Sequence, residues 1–335
     1  MAAERGRQCR FAGVRRQFGA VASATLTEGL QQPAALLLAL TGVVATALVP
    51  LLQLHRFGEP GRLARDGGLA YQLTIGLLLA TGAAGAALHA EIARGTAAAA
   101  LSKPVPRDLF LLGKFAGVAR LTARFWFCLL AATLLAERVP ERLDETTGLL
   151  LTDTRAQLAL LAAPALALAG AAFLHYRRKA RFGVAAFNGL GALLALAVAA
   201  AAVVDRAGRW APASGNLDWR IVAASLPLLA LLLVYSAVAT ALATRCRPGV
   251  AHVLCLLLLG TGLAADHLAA PAMPAVWRGL ARLTPNVQHF WLCDALAEGG
   301  RIPLRHLAPV VAYAMAWCAI ALGLGMLAFR RRDIG

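Results

Sequence analysis

The chain has 335 residues, of which 59% are hydrophobic and only 15% charged, too apolar a composition for one water-soluble core. Its 33 Lys and Arg against 17 Asp and Glu give a net charge of +16. The arginines are scattered between apolar runs, with none of the aromatic interleaving of a nucleic-acid module. A soluble enzyme, a disulfide scaffold and a nucleic-acid-binding domain are therefore excluded as descriptions of the whole.

The first 32 residues are basic, and Phe11, Val14, Phe18, Val21 and Thr25 recur at three- and four-residue steps with Arg15 and Arg16 on the other face. This spacing predicts a helix lying in the inner membrane interface. A hydrocarbon layer of about 30 Å needs roughly 20 mostly apolar residues per helix. Eight such runs follow, over residues 33–54, 70–90, 115–136, 157–176, 182–204, 221–243, 249–268 and 307–329. They are continuously apolar, whereas barrel strands would alternate, so the predicted fold is an all-α polytopic membrane bundle: a cytoplasmic segment 1–32 followed by a single transmembrane domain 33–335. With the N-terminus inside, 18 Lys and Arg fall on the inner side and 13 on the outer, and two lie within the third run. The positive-inside rule then puts both termini in the cytoplasm.

Catalytic signatures are missing. Gly113-Lys114 is followed by Phe115, so no Walker-type phosphate loop is present, and the seven histidines offer no pair four apart around a glutamate. Of the six cysteines, Cys9, Cys128, Cys246, Cys255, Cys293 and Cys318, no two form a C-x-x-C pair. No catalytic residue, metal or bound cofactor is expected on this chain.

The informative stretch is 91–114. Thr96 can cap the alanine-rich run at 97–101, and Pro104 with Pro106 stops the helix, because residues before proline avoid the helical region. A second helix starting near Arg107 would feed into the membrane. Arg120 and Arg124, four apart, share one face of the third span. They either snorkel to the inner interface or line a water-filled pathway that attracts an anion. On the outer side, segment 269–306 carries Trp277, Leu280, Val287, Phe290, Trp291 and Leu296, interrupted by Pro285 and Gly299-Gly300. It reads as two short amphipathic helices. Gly82, Gly85, Gly189, Gly191, Gly260, Gly262, Gly323 and Gly325 read as sites of close helix packing.

The order Glu91, Arg94-Gly95-Thr96, Ser102-Lys103-Pro104-Val105, Arg107 and Gly113-Lys114 resembles the cytoplasmic signature of permease subunits of type-2 ATP-binding-cassette exporters. Thr284-Pro285-Asn286 before the outer stretch, and a last span closed by Arg330-Arg331-Arg332, are similar to the end of that family's chains. Explicit matches cover about 40 of the 335 residues. Two features depart from the family's pattern: Ala97 to Ala100 replace a more polar helix, and eight runs exceed the usual six. The resemblance implies an inner-membrane permease that dimerises and docks separate ATPase subunits, which bind the ATP and Mg. Glu91, Arg94, Gly95, Thr96, Ser102, Lys103, Pro104, Arg107, Gly113 and Lys114 would then form the coupling element, with Lys103, Arg107 and Lys114 offering charge to the ATPase or to lipid head groups. Pro285, Asn286 and Trp291 would cap the pathway outside. A secondary transporter and a non-transporting anchoring protein are the rival readings; a paired repeat and an intramembrane acid would mark the former, and neither occurs.

Overall fold

A computed structural model describes residues 2–52, 61–93, 106–143, 148–210, 213–271 and 273–331. They form ten principal helices: α1 (Ala2–Gln31), α2 (Pro33–Leu48), α3 (Arg62–Ala93), α4 (Arg107–Arg138), α5 (Thr154–Arg178), α6 (Phe182–Val203), α7 (Arg220–Ala243), α8 (Pro248–Leu263), α9 (Ala275–Leu283) and α10 (Leu304–Arg330). One short hairpin, β1 (Arg142–Leu143) with β2 (Leu150–Leu151), pairs Arg142 with Leu151. The chain is an all-α membrane-type bundle.

Seven of the helical stretches are long and apolar enough to cross a membrane: Pro33–Leu52, Arg62–His89, Arg107–Arg138, Thr154–Arg178, Phe182–Val203, Arg220–Ala243 and Arg305–Arg330. The eighth expected run, 249–268, is helical but broken: α8 has 16 residues, about 24 Å, and a separate turn, Ala265–Leu268, follows it. The helix stops because Ala264 leaves helical geometry at φ −88°, ψ 3°. There the Gln288 side chain donates to Leu263 O at 3.0 Å, and the Pro285 carbonyl sits where a Cβ on Gly262 would lie 2.5 Å away.

Local chemistry sets the other boundaries. Pro33 opens α2 at a position whose N–H needs no partner, after Gln32 breaks from α1 at ψ 123°. Asp153 caps α5 by accepting from Ala156 N at 2.9 Å. At the other end of α5, Lys179 takes the left-handed conformation, φ 54°, and its N–H returns to His175 O at 3.0 Å.

The core is the trio α3, α4 and α7, whose apolar windows are 61–67% buried, against 22–28% for α5, α6 and α10. The peripheral helices expose most of their apolar surface. Helices α3 and α4 run antiparallel, Gly68 lying against Thr133 and Gly76 against Phe125. Gly76 also meets Leu232 of α7, and the Trp126 indole N–H of α4 donates to Ser225 O of α7 at 3.0 Å. Helix α10 follows α7, with Gly325 against Ala241.

Helix α1 differs from the expected interfacial helix. Its Ala22, Thr25, Leu26 and Leu30 are buried, and it runs alongside the start of α4 with Val21 over Gly113 and Thr25 over Gly117. Of the expected face, Val14 is exposed, whereas Val21 and Thr25 lie against α4. The second predicted outer helix is corrected as well. After α9, the chain makes two 3-10 turns, Val287–Phe290 and Asp294–Gly299, in place of an α-helix.

Candidate functional site at the basic end of the bundle

The ends of α3, α7 and α10 and the starts of α4 and α8 gather at one end of the bundle, which the exposed Arg245, Arg247, Arg330 and Arg331 make basic. Pro106 sits before α4 at ψ 139°, and its carbonyl takes the first helical bond, from Phe110 N at 3.0 Å. The last carbonyls of α10 lack intrahelical donors, as at any helix C-terminus. Guanidinium groups supply them: Arg107 Nη1 donates to Arg330 O at 3.1 Å, and Arg245 Nη2 to Ala328 O at 2.9 Å. Cations at this end also complement the helix dipole. Arg330 in turn holds Asp108 through two charge-assisted hydrogen bonds. The Phe110 and Phe329 rings stack at 6.2 Å, closing a cluster with Leu88, Leu111 and Ala243.

One turn further, Lys114 is 2% exposed; its ammonium lies 3.6 Å from the Glu28 carboxylate of α1 and 5.6 Å from the centre of the Phe110 ring. Lys114 therefore ties α1 to α4 instead of presenting its charge at the surface. Gly113 lets Val21 approach, since a Cβ there would sit 2.8 Å from Val21 Cγ1. Arg107 and Gly113 thus join Lys114 in a hub where α1, α3, α7 and α10 meet the start of α4. Glu91 lies in the last turn of α3. Arg94, Gly95, Thr96, Ser102, Lys103 and Pro104 lie outside the described residues, in the segment that joins α3 to this hub.

The Asp108–Arg330 pair is a solvent-side contact, with Arg330 61% exposed. Exposed pairs contribute about 0–1 kcal/mol. Asp108→Asn is accordingly expected to move the thermal midpoint of the purified chain by less than about 4 °C; a larger fall would mean that the pair is screened from water.

Arg120 and Arg124 are both exposed on one face of α4 and have no hydrogen-bond or ion-pair partner among the described residues. Ten residues, about 15 Å of helix, separate Arg124 from Lys114. Arg124 lines a cavity of about 240 Å³ between α4 and α6, with Phe127, Cys128, Phe187 and Asn188. An uncompensated arginine at this depth is costly against lipid, and Asn188 adds a second polar group in the same cavity.

Sequence reasoning missed two polar constellations. In the core, Ser225 donates to Gln72 at 2.7 Å, Gln72 donates to Thr133 at 3.3 Å, and Trp126 donates to Ser225 Oγ at 2.6 Å. This chain links α3, α4 and α7. Its only signal in the sequence is a glutamine inside an apolar run. At the opposite end of the bundle, Arg138 of α4 pairs with Asp153 at 2.5 Å, with both side chains buried. Nearby, burial lowers the Arg206 guanidinium to about 10, so it keeps its charge near neutral pH; it donates to Pro140 O at 2.9 Å.

Pro285 and Asn286 are wedged between the end of α8 and α10, with the Pro285 carbonyl against Gly262. Asn286 N donates to the Tyr313 hydroxyl at 3.0 Å, and Asn286 Nδ2 donates to Asp266 Oδ1 at 2.6 Å. Trp291 is half-buried against the core. Cys293 is buried, which pushes its thiol up to about 12 and leaves it unreactive near neutral pH.

The bundle and its basic hub define a helical membrane protein. Comparisons with protein-family models, curated proteins and solved structures return no match.

Proposed function

We propose that the chain is the membrane-spanning permease subunit of an ATP-driven exporter, working as a dimer with separate ATPase subunits that carry the ATP and Mg. In this reading the basic end is cytoplasmic, which puts both termini inside and satisfies the positive-inside rule. The observation that carries the proposal is mechanical. The segment bearing Arg94-Gly95-Thr96 and Ser102-Lys103-Pro104 joins α3 to α4, two helices of 32 residues that belong to the most buried trio in the bundle. A push on that segment enters rigid elements that both run the depth of the bundle. The hub at Arg107, Phe110 and Lys114 shares the displacement with α1, α7 and α10.

The pair Arg120 and Arg124 supports a substrate or pathway of negative charge, because two unpaired cations one turn apart on a span attract anions across a low-dielectric wall. In this reading Pro285, Asn286 and Trp291 belong to the cap on the pathway, away from the basic end.

The test is copurification of the tagged chain from its own membranes. The expected result is a bound ATPase whose turnover falls at least about tenfold in the Glu91→Ala and Arg94→Ala variants while the complex stays assembled. Transport by the Arg120→Gln/Arg124→Gln variant should fall while ATP turnover persists. A chain that purifies with no ATPase and moves its substrate down an ion gradient is a secondary carrier, and the proposal then fails.

A further inference from the structure

An apolar slot of about 340 Å³ runs between α7, α8 and α10. Val238 and Leu242 of α7 form its back, and Leu258 of α8 and Trp317 of α10 its flanks. Leu283 and Pro285 close it in depth. That stop is rigid: the Pro285 carbonyl is lodged against Gly262, and Asn286 N is held by the Tyr313 hydroxyl at 3.0 Å. Thr244, Arg245 and Ala328 line the slot at the basic end.

Two features of the slot point to a ligand. Trp317 to Ala328 is eleven residues of α10, about 16 Å, and half of a 30 Å hydrocarbon layer is about 15 Å. The slot is one leaflet deep. At its mouth the exposed Arg245 is oriented by its bond to Ala328 O, 2.9 Å, and no carboxylate pairs with it among the described residues.

We propose that this slot is a binding site for an anionic phospholipid from the leaflet at the basic end, with one acyl chain between α8 and α10 and the phosphate on Arg245. The inference rests on the bundle spanning a bilayer and is independent of the exporter reading. Lipid tails are as apolar as leucine, so the chain alone gives little preference over bulk lipid. Selection comes from the head group: one arginine near the surface favours an anionic over a zwitterionic head about fivefold.

The experiment reconstitutes the full chain in phosphatidylcholine nanodiscs containing a small fraction of lipid brominated on its acyl chains. It reads tryptophan quenching, with Trp317→Phe subtracted to isolate the slot. Brominated phosphatidylglycerol is expected to quench Trp317 at about one fifth the mole fraction needed for brominated phosphatidylcholine. Arg245→Gln should abolish that preference and Arg245→Lys should keep it. Leu324→Phe, which fills the slot from an exposed position, should reduce quenching by both lipids. Arg245 and Leu324 are exposed and Trp317→Phe is a conservative change at a half-buried site, so the variants are expected to fold, which size exclusion and helical content check. Equal quenching by the two lipids, or a preference that survives Arg245→Gln, would show ordinary annular lipid and overturn the proposal.

Discussion

Arg138→Met is expected to destabilise the chain by about 3–5 kcal/mol, the cost of leaving one member of a buried ion pair without its partner. Arg138 and Asp153 are 2% and 4% exposed, and the pair joins the last residue of α4 to the cap of α5. The same guanidinium also serves the C-terminal end of α6. It donates to Ala201 O and to Val204 O at 2.6 Å, and it reaches Asn216 O at 3.4 Å. One side chain therefore satisfies a carboxylate and several carbonyls from three chain segments, and methionine offers none of those donors. At roughly 2 °C per kcal/mol for a chain of this size, the midpoint in detergent should drop by about 6–10 °C. Arg138→Met/Asp153→Asn is the informative companion. Asparagine still accepts from Ala156 N, so the α5 cap survives, while the uncompensated negative charge is gone. The double variant should recover about half of the loss. A single-variant cost below about 1 kcal/mol would mean that water reaches the pair and that it behaves as a surface contact.

Arg138 also marks where the sequence stops being informative. Read along the chain, it is one more basic residue following an apolar run, on the side with fewer positive charges. Its importance depends on Asp153, Ala201 and Val204, which no periodicity ties to it. The spans themselves were legible because length and continuous apolarity are local properties. The expected 182–204 is observed as Phe182–Val203, and 221–243 as Arg220–Ala243. Two helices extend well beyond their apolar runs. The runs 70–90 and 115–136 belong to helices Arg62–Ala93 and Arg107–Arg138. Arg65, Asp66, Arg107, Asp108 and Lys114 interrupt the apolar pattern there, yet the helices continue because each of these side chains has a partner.

The glycines divide in the same way. Of those read as packing sites, Gly85, Gly262 and Gly325 do meet a neighbour closely, whereas a Cβ on Gly82, Gly260 or Gly323 would meet nothing within 4 Å. Composition reveals that small residues are present but not which helix face has a partner. The coupling stretch was legible as a motif because its residues are consecutive. Its geometry from Arg94 to Val105 lies outside the described residues.

Gly117→Val is expected to lift α1 off α4, at a cost of about 1–3 kcal/mol from overpacking alone. Gly113 and Gly117 are one turn apart on α4 and make a shallow groove of the small-xxx-small kind, in which Val21, Ala22 and Thr25 of α1 lie. A Cβ on Gly117 would come 2.5 Å from Thr25 Cβ and 2.7 Å from Ala22 O. Neither contact can rotate away: Thr25 Cβ is fixed by its backbone and Ala22 O is part of it, so relief requires moving α1 as a whole. Thr25→Ala in the Gly117→Val background should for that reason restore little. Displacement of α1 would also part Glu28 from Lys114, whose side chain is 2% exposed. Hydrogen exchange gives the direct reading: amides of residues 20–30 should lose protection in Gly117→Val, while those at the centre of α4, buried against α3 and α7, should keep theirs. Unchanged protection over 20–30 would mean that α4 bends to accept the valine, and α1 would then not be held by this groove. If the exporter reading holds, the same variant tests whether α1 braces the hub beside segment 94–105. An undocked α1 should uncouple ATP turnover from transport without releasing the ATPase, since none of the residues proposed to contact the ATPase belongs to α1.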